Sequence, residues 1–464
     1  MKTVAEQMEL ARKAQAAIAD YTQEQIDEVC LAVGWEVYRD DNIAKLAEMA
    51  VEETQFGNVQ SKIIKHKRKV GGVLSDIKGA ISVGLMERNE ATGISKYAKP
   101  VGVICGILPA TNPTATAGGK AIGMLKGRNA VIFKASSRAL NCTTEAINMM
   151  REGLKKVGAP VDLIQVLEDT SREGATELMQ KADLIVATGS GAVVRAAYSS
   201  GTPAYGVGQG NAVCIVAEDA NVPEAAKMIF GSKVFDNCTS CSSENAVIVI
   251  ESVYDEFMKE MLANKSCLVT GDDREALKNH MWKVNAKGKL ALNQDIIAKS
   301  AAVIAEGAGI AIPEGVELML VEGVEPIKSD KFYDEKISPV LTVYKAKDFE
   351  HAYRILVELT SLVGRGHSCG IHTYKREYIE YLGANMKSSR ITVRQPMSAG
   401  NGGHAFNRMP STATLGCGTW GGNITTENVH WRHFINVTWV NEPVEPTSFT
   451  DEDMWGDFWK KYGK

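Results

Sequence analysis

The sequence predicts an α/β protein built from two parallel-sheet units, and three observations predict it. From about residue 100, short β-branched runs alternate with helix-length stretches, the pattern of a parallel sheet with helices on its faces. The alternation restarts near residue 245. The length, 464 residues, suits two or three domains at roughly 100–200 residues each.

Residues 3–55 carry Ile18, Ile26, Val29, Val33 and Leu46 at helical spacing among charges, which predicts two or three amphipathic helices. Val101–Leu108 then reads as a strand and Thr116–Leu125 as a helix. Strand Ala130–Phe133 precedes helix Thr143–Val157, which stops at Gly158. Strand Leu163–Val166 precedes helix Ser171–Gln180, and strand Asp183–Ala187 precedes helix Ala192–Tyr198. In the second series, Ala246–Ile250 is a strand and Tyr254–Leu262 a helix, and the alternation continues from Leu277 to Met386. The expected division is residues 1–230 as N-terminal helices and a dinucleotide-binding domain, 231–430 as a catalytic domain, and 431–464 as a C-terminal strand and tail. The run Phe434–Val440 is expected either to pair with another subunit or to close a sheet of its own chain.

The apolar fraction of 45% and charged fraction of 23% are ordinary for a globular chain. They exclude disordered, collagen-like and disulfide-scaffold classes. With 52 basic and 56 acidic residues the net charge is −4. Such a chain has no general attraction to nucleic acid or anionic membrane, so any anion site must be local. The nine cysteines are odd in number and irregularly spaced. They form no disulfide framework and suit a reducing, cytoplasmic setting. Met1–Asp20 lacks the apolar core of a signal peptide, and no apolar run reaches bilayer length.

Several segments have the residue types of a reaction site. Thr188-Gly189-Ser190-Gly191 ends a strand and opens a helix, where backbone N–H groups can approach a phosphate. Lys134-Ala135-Ser136-Ser137-Arg138 also follows a strand, where ligands of open α/β sheets bind. Asp236-Asn237-Cys238-Thr239-Ser240-Cys241 places two cysteines three apart, open to metal, redox or nucleophile readings. No second ligand pair of similar spacing exists for a structural zinc site, so no metal is expected. The segment's position at the joint of two α/β units, where clefts form, favours the nucleophile. Two glycine-rich stretches, Tyr205–Asn211 and Leu415–Asn423, imply backbone packed close to other backbone or to a ligand.

Together these segments resemble the aldehyde dehydrogenase superfamily, and most closely its coenzyme-A-acylating branch. The motifs that carry the likeness are Gly106–Thr114, Ala187–Gly191, Gly206–Asn211, Phe235-Asp236-Asn237 leading to Cys241, Glu335–Pro339, Gly366-His367 and Leu415–Asn423, spread from about residue 45 to residue 440. The resemblance implies an aldehyde-dehydrogenase-like fold: two Rossmann-like α/β domains plus a small oligomerisation element, in a homodimer or higher homo-oligomer. It implies Cys241 as the nucleophile, with Cys238 where relatives usually carry glycine. Asn112 and the Cys241 N–H match the oxyanion hole. His367 matches a histidine of the acylating branch, Lys134 the adenosine-ribose ligand, Gly189 and Gly191 the pyrophosphate turn, and Glu335 the nicotinamide-ribose carboxylate. Ser136, Ser137, Arg138, Thr188, Ser190 and Gly208 complete the expected cofactor contacts.

Hydrolytic members carry a glutamate that activates water in a Glu-Leu-Gly-Gly loop. Here the corresponding loop reads Gly206-Val207-Gly208-Gln209-Gly210. A missing general base costs roughly two to four powers of ten in rate, so a thioester on Cys241 is expected to wait for the thiol of coenzyme A. The absence of an acidic residue in Phe133–Leu140 permits NADP as well as NAD. Arg394 and Arg408, with Thr111, are the expected contacts of an anionic aldehyde. The C-terminal stretch, including Trp431–Thr438, is similar to acylating sulfoacetaldehyde dehydrogenases. Acetaldehyde or succinate semialdehyde is the alternative substrate, and a hydrolytic dehydrogenase the alternative reaction.

Overall fold

The computed structural model describes every residue except Lys287. A five-stranded sheet has the order Ile164–Val166, Ala130–Lys134, Val103–Ile107, Leu184–Thr188, Ala204–Val207, with every neighbouring pair parallel. The chain builds from Val103–Ile107 outward in one direction. It then returns to the other side with Leu184–Thr188. Strand order reverses there, and a crevice opens at the carboxyl ends of the strands on either side of a reversal.

A seven-stranded sheet follows, also parallel, in the order Ser266–Leu268, Leu318–Glu322, Val340–Ala346, Glu244–Ile250, Ala212–Val216, Cys369–His372, Ile391–Val393. Its central strands are covered on both faces, which is why they read as unbroken apolar runs. Val247 and Val249 pack with Val216, Leu341 and Val343 on one face. Ala246 and Ile248 pack with Val213, Ile215 and Ile355 on the other.

Residues 3–55 form three helices, Val4–Ala17, Gln23–Glu36 and Asp40–Thr54. A fourth, Val59–Ile77, was not among the expected elements. The boundary expected at residue 230 is also corrected. Ala212–Val216 pairs with Glu244–Ile250 and Cys369–His372, so the chain leaves the first sheet after Val207 and enters the second at Ala212. Strand Ile435–Asn441 pairs antiparallel with Ile94–Pro100 of its own chain, next to Gly84–Asn89. Helix Asp451–Tyr462 ends the chain. Among the described residues no helix is long and apolar enough to cross a membrane.

Candidate active site

The carboxyl ends of the first sheet meet the amino ends of the second across a cleft of about 760 Å³, within the ordinary range for a small-molecule site. Five consecutive neighbouring strands of the second sheet bring distant residues together at that edge. Glu335, Cys241, Gly210, His367 and Arg390 lie one to five residues before Val340–Ala346, Glu244–Ile250, Ala212–Val216, Cys369–His372 and Ile391–Val393 respectively.

Cys241 lines the cleft, and its Sγ is 3.3 Å from Nε2 of the fully buried His367. His367 Nδ1 is 2.8 Å from Ser368 Oγ. With Nδ1–H donating to that hydroxyl, Nε2 keeps a lone pair for the S–H. Burial, aided by the Arg390 guanidinium, pushes His367 down to about 3, so the ring is neutral at pH 7. Burial pushes the Cys241 thiol up to about 12, and Glu335 and Cys417 add to the rise. Arg390 and Lys69 act in the opposite direction. Cys241 therefore rests as a thiol. Cys238 is buried away from the cleft and its Sγ accepts from Lys233 Nζ at 3.4 Å.

Asn112, at the start of helix Pro113–Lys126, lines the cleft beside Thr111. Its Oδ1 accepts from Lys65 Nζ at 2.7 Å, which turns the Nδ2 donors away from the lysine. Lys65 Nζ also bonds Asp236 Oδ2 at 2.5 Å and Thr239 Oγ1. Asp236 is fully buried and accepts from Lys62 Nζ at 2.8 Å, Thr239 Oγ1 at 2.6 Å and Asn58 N–H at 2.9 Å. Burial works to raise its pKa, and Lys65 and Lys62 together outweigh that and hold the carboxyl below its usual range. Asp236, Asn237 and Cys238 all have φ between 50° and 62°. The charge network therefore pins a tightly wound turn just before Cys241.

Lys134, Ser136, Arg138, Thr188, Gly189, Ser190, Gly191 and Gly208, the expected dinucleotide contacts, all line the cleft. Cation and hydroxyls at one end, a glycine turn opening helix Gly191–Tyr198, and Glu335 beside Cys241 fit a dinucleotide laid along the crevice. Burial, then Asp334, raises Glu335 to about 8, opposed by the Gly210 N–H and the Gln209 side chain. Ser137 is corrected: it opens a short 3₁₀ turn, is exposed, and does not line the cleft.

Residues 1–406 match the aldehyde dehydrogenase family. The chain belongs to that family. It is 83% identical to the sulfoacetaldehyde dehydrogenase (acylating) of Bilophila wadsworthia, over the whole of both chains. It is 56% identical to a sulfoacetaldehyde dehydrogenase of an Acholeplasma species, covering 97% of this chain and 92% of that one. The crystal structure of an acetylating aldehyde dehydrogenase from Geobacillus thermoglucosidasius superposes with a TM-score of 0.91 at 36% identity, over 96% of this chain and 98% of that one.

In this aldehyde dehydrogenase two expected substrate contacts lie elsewhere. Arg394 follows strand Ile391–Val393 at its carboxyl end, whereas the site gathers at the amino ends. Its exposed guanidinium donates to Thr373 O and lies 4.6 Å from the Tyr374 ring centroid. Arg390, one residue before the same strand, is on the site side. Its buried guanidinium donates to His367 O and Gly416 O, each at 2.7 Å. Arg408 is exposed and does not line the cleft, although Gly402, Gly403, His404 and Thr412 of the same loop do.

Both glycine-rich stretches pack against backbone. A Cβ on Gly210 would fall 2.2 Å from Cys241 O, and one on Gly366 would fall 2.1 Å from Cys417 O. The residues given no role from sequence are Lys62, Lys65, Arg68 and Lys69 of helix Val59–Ile77, together with Asp236 and Arg390. The available signal was the basic run Lys62–Lys69 with Lys62, Lys65 and Lys69 at helical spacing, which reads equally as a solvated face.

Proposed function

We propose that this chain is an NAD(P)-dependent, CoA-acylating aldehyde dehydrogenase that interconverts sulfoacetaldehyde plus coenzyme A and sulfoacetyl-CoA. The observation that carries the reading is the loop beneath the nucleophile: Gly210 packs directly on Cys241, and Gly206–Gly210 holds no carboxylate. The likeness to the Bilophila wadsworthia enzyme supports the substrate.

Cys241 Sγ attacks the carbonyl carbon, and its proton passes to His367 Nε2. The gap between about 12 and about 3 keeps that proton on sulfur until the carbonyl is engaged. The new oxyanion is received by Asn112 Nδ2 and the Cys241 N–H. When bound, the oxidised nicotinamide supplies the hydride acceptor. Loss of hydride from the thiohemiacetal leaves a thioester on Cys241. His367 releases the proton it took to solvent, and the CoA thiol then attacks that carbonyl, its own proton passing to Cys241 as Cys241 departs. One thioester replaces another at little net cost, so the reaction runs in both directions.

The cysteines of the described chain are all free, which supports a cytoplasmic protein. Strand Ile435–Asn441 lies at the edge of its sheet with Val437, Trp439 and Val440 exposed. An exposed edge of this kind pairs readily with another strand, which supports a homo-oligomer. The test is reduced-nicotinamide formation from sulfoacetaldehyde with and without CoA. Cys241→Ala should abolish CoA-dependent turnover and Cys238→Ala should largely keep it. Equal loss in both variants, or brisk sulfoacetate formation without CoA, overturns the reading.

A further inference from the structure

The cleft holds a cationic pair that neither the chemistry nor the dinucleotide uses. Lys65, Arg68, Lys69, Lys134 and Arg138 line it, against two carboxylates, Asp334 and Glu335. Lys134 and Arg138 stand at the dinucleotide end, and Lys65 is neutralised by Asp236. Asp334 is paired with Lys331 at 2.7 Å. Arg68 and Lys69 remain without a carboxylate.

The Arg68 guanidinium makes no hydrogen bond or ion pair among the described residues. Its guanidinium is steadied over the ring of Phe235, 5.1 Å from the centroid, on the segment that leads to Cys241. Lys69 donates to Gly402 O at 3.2 Å and Thr412 O at 2.7 Å, which leaves the third ammonium proton free. His404 lines the same wall with a buried Nδ1 that has no partner. Ser240 and Ser398 add hydroxyls. Lys69 and Cys241 are close enough to shift one another's ionisation.

We infer that Arg68 and Lys69 form the subsite for the anionic group of the aldehyde, a sulfonate one methylene from the carbonyl that Cys241 attacks. The inference rests on the function proposed above and places recognition on helix Val59–Ile77 instead of on Arg394 and Arg408. A sulfonate presents three acceptor oxygens and a charge that no proton removes near neutrality. A guanidinium fork and a free ammonium proton match it with charge-assisted bonds. A neutral aldehyde would leave both cations unpaired.

Initial rates of the full-length enzyme at saturating CoA and NAD(P), with sulfoacetaldehyde and with acetaldehyde, test this. Arg68→Gln and Lys69→Met should each raise the KM for sulfoacetaldehyde about ten- to a hundredfold, the loss of one charged hydrogen bond. For Arg68→Gln the kcat, and kcat/KM for acetaldehyde, should change less than about threefold. Arg68→Lys should recover part of the loss, and Arg394→Gln should alter neither substrate. Lys69 bridges two backbone carbonyls, so Arg68→Gln, which breaks no hydrogen bond and loses only the contact with the Phe235 ring, is the cleaner variant. An equal effect on both aldehydes, or a rise in the KM for CoA instead, overturns the subsite. Wild-type enzyme that prefers sulfoacetaldehyde while Arg68→Gln keeps that preference overturns the subsite alone. Wild-type enzyme that accepts acetaldehyde but no sulfoacetaldehyde overturns the function proposed above as well.

Discussion

Replacing Lys65 by methionine tests whether helix Val59–Ile77 holds Asn112, the proposed oxyanion donor, in place. Lys65 Nζ donates to Asn112 Oδ1 at 2.7 Å and to Asp236 Oδ2 at 2.5 Å. Methionine matches the stem and donates nothing. Asp236 keeps Lys62 at 2.8 Å and the Asn58 N–H at 2.9 Å, so the buried carboxylate is not stranded. A hydrogen bond from a charged group contributes roughly 1.5–3 kcal/mol, and this one is the bias that keeps the Asn112 NH₂ from turning toward the lysine. At about 1.36 kcal/mol per tenfold, its loss should lower kcat about ten- to a hundredfold. Asn112→Ala removes the donor itself, which costs roughly 2.7–4 kcal/mol, or about a hundred- to a thousandfold. Because both act through one amide, the double variant should be no slower than Asn112→Ala. Acetaldehyde is the substrate to use, since it has no charge for the cationic wall. Lys65→Met within threefold of wild type, or losses that multiply in the double variant, would refute the argument.

Other outcomes follow from the same geometry. With the Cys241 thiol at about 12, the thiolate fraction grows about tenfold per pH unit below that value. Inactivation of the cofactor-free enzyme by iodoacetamide should therefore climb steadily from neutral to strongly alkaline pH, and a plateau near pH 8 would contradict the burial argument. Gly210→Ala places a Cβ 2.2 Å from Cys241 O. The strain, roughly 1–3 kcal/mol, should appear as a fall of at least fivefold in kcat with CoA binding retained, and unchanged kcat would show that the two backbones can part. Asp236→Asn leaves Lys62 and Lys65 buried without a counter-charge. Breaking such a pair costs roughly 3–5 kcal/mol, read as a lower urea midpoint, and an unchanged midpoint would remove the network from the stability argument.

What was legible in the chain was local. Strands such as Ala130–Lys134 and Glu244–Ile250 show their burial in their own composition. The boundary near residue 230 was misplaced because Ala212–Val216 is equally apolar whichever sheet it joins. Helix Val59–Ile77 was missed because Lys62–Lys69 interrupts its apolar stripe, and the buried state of Lys62 and Lys65 depends on Asp236, more than 170 positions away.

The amino-acid order by itself determined the alternation of strands and helices, the glycine turns and the loop without a carboxylate, and the family resemblance singled out Cys241, Asn112, His367 and Glu335. Only tertiary structure decided that Arg390 stands at the site and Arg394 outside it, although a three-residue strand is all that separates them. Parallel strands start at one edge whatever their sequence order. Which edge faces the other sheet is set by the packing of the two units, and no segment carries that information alone.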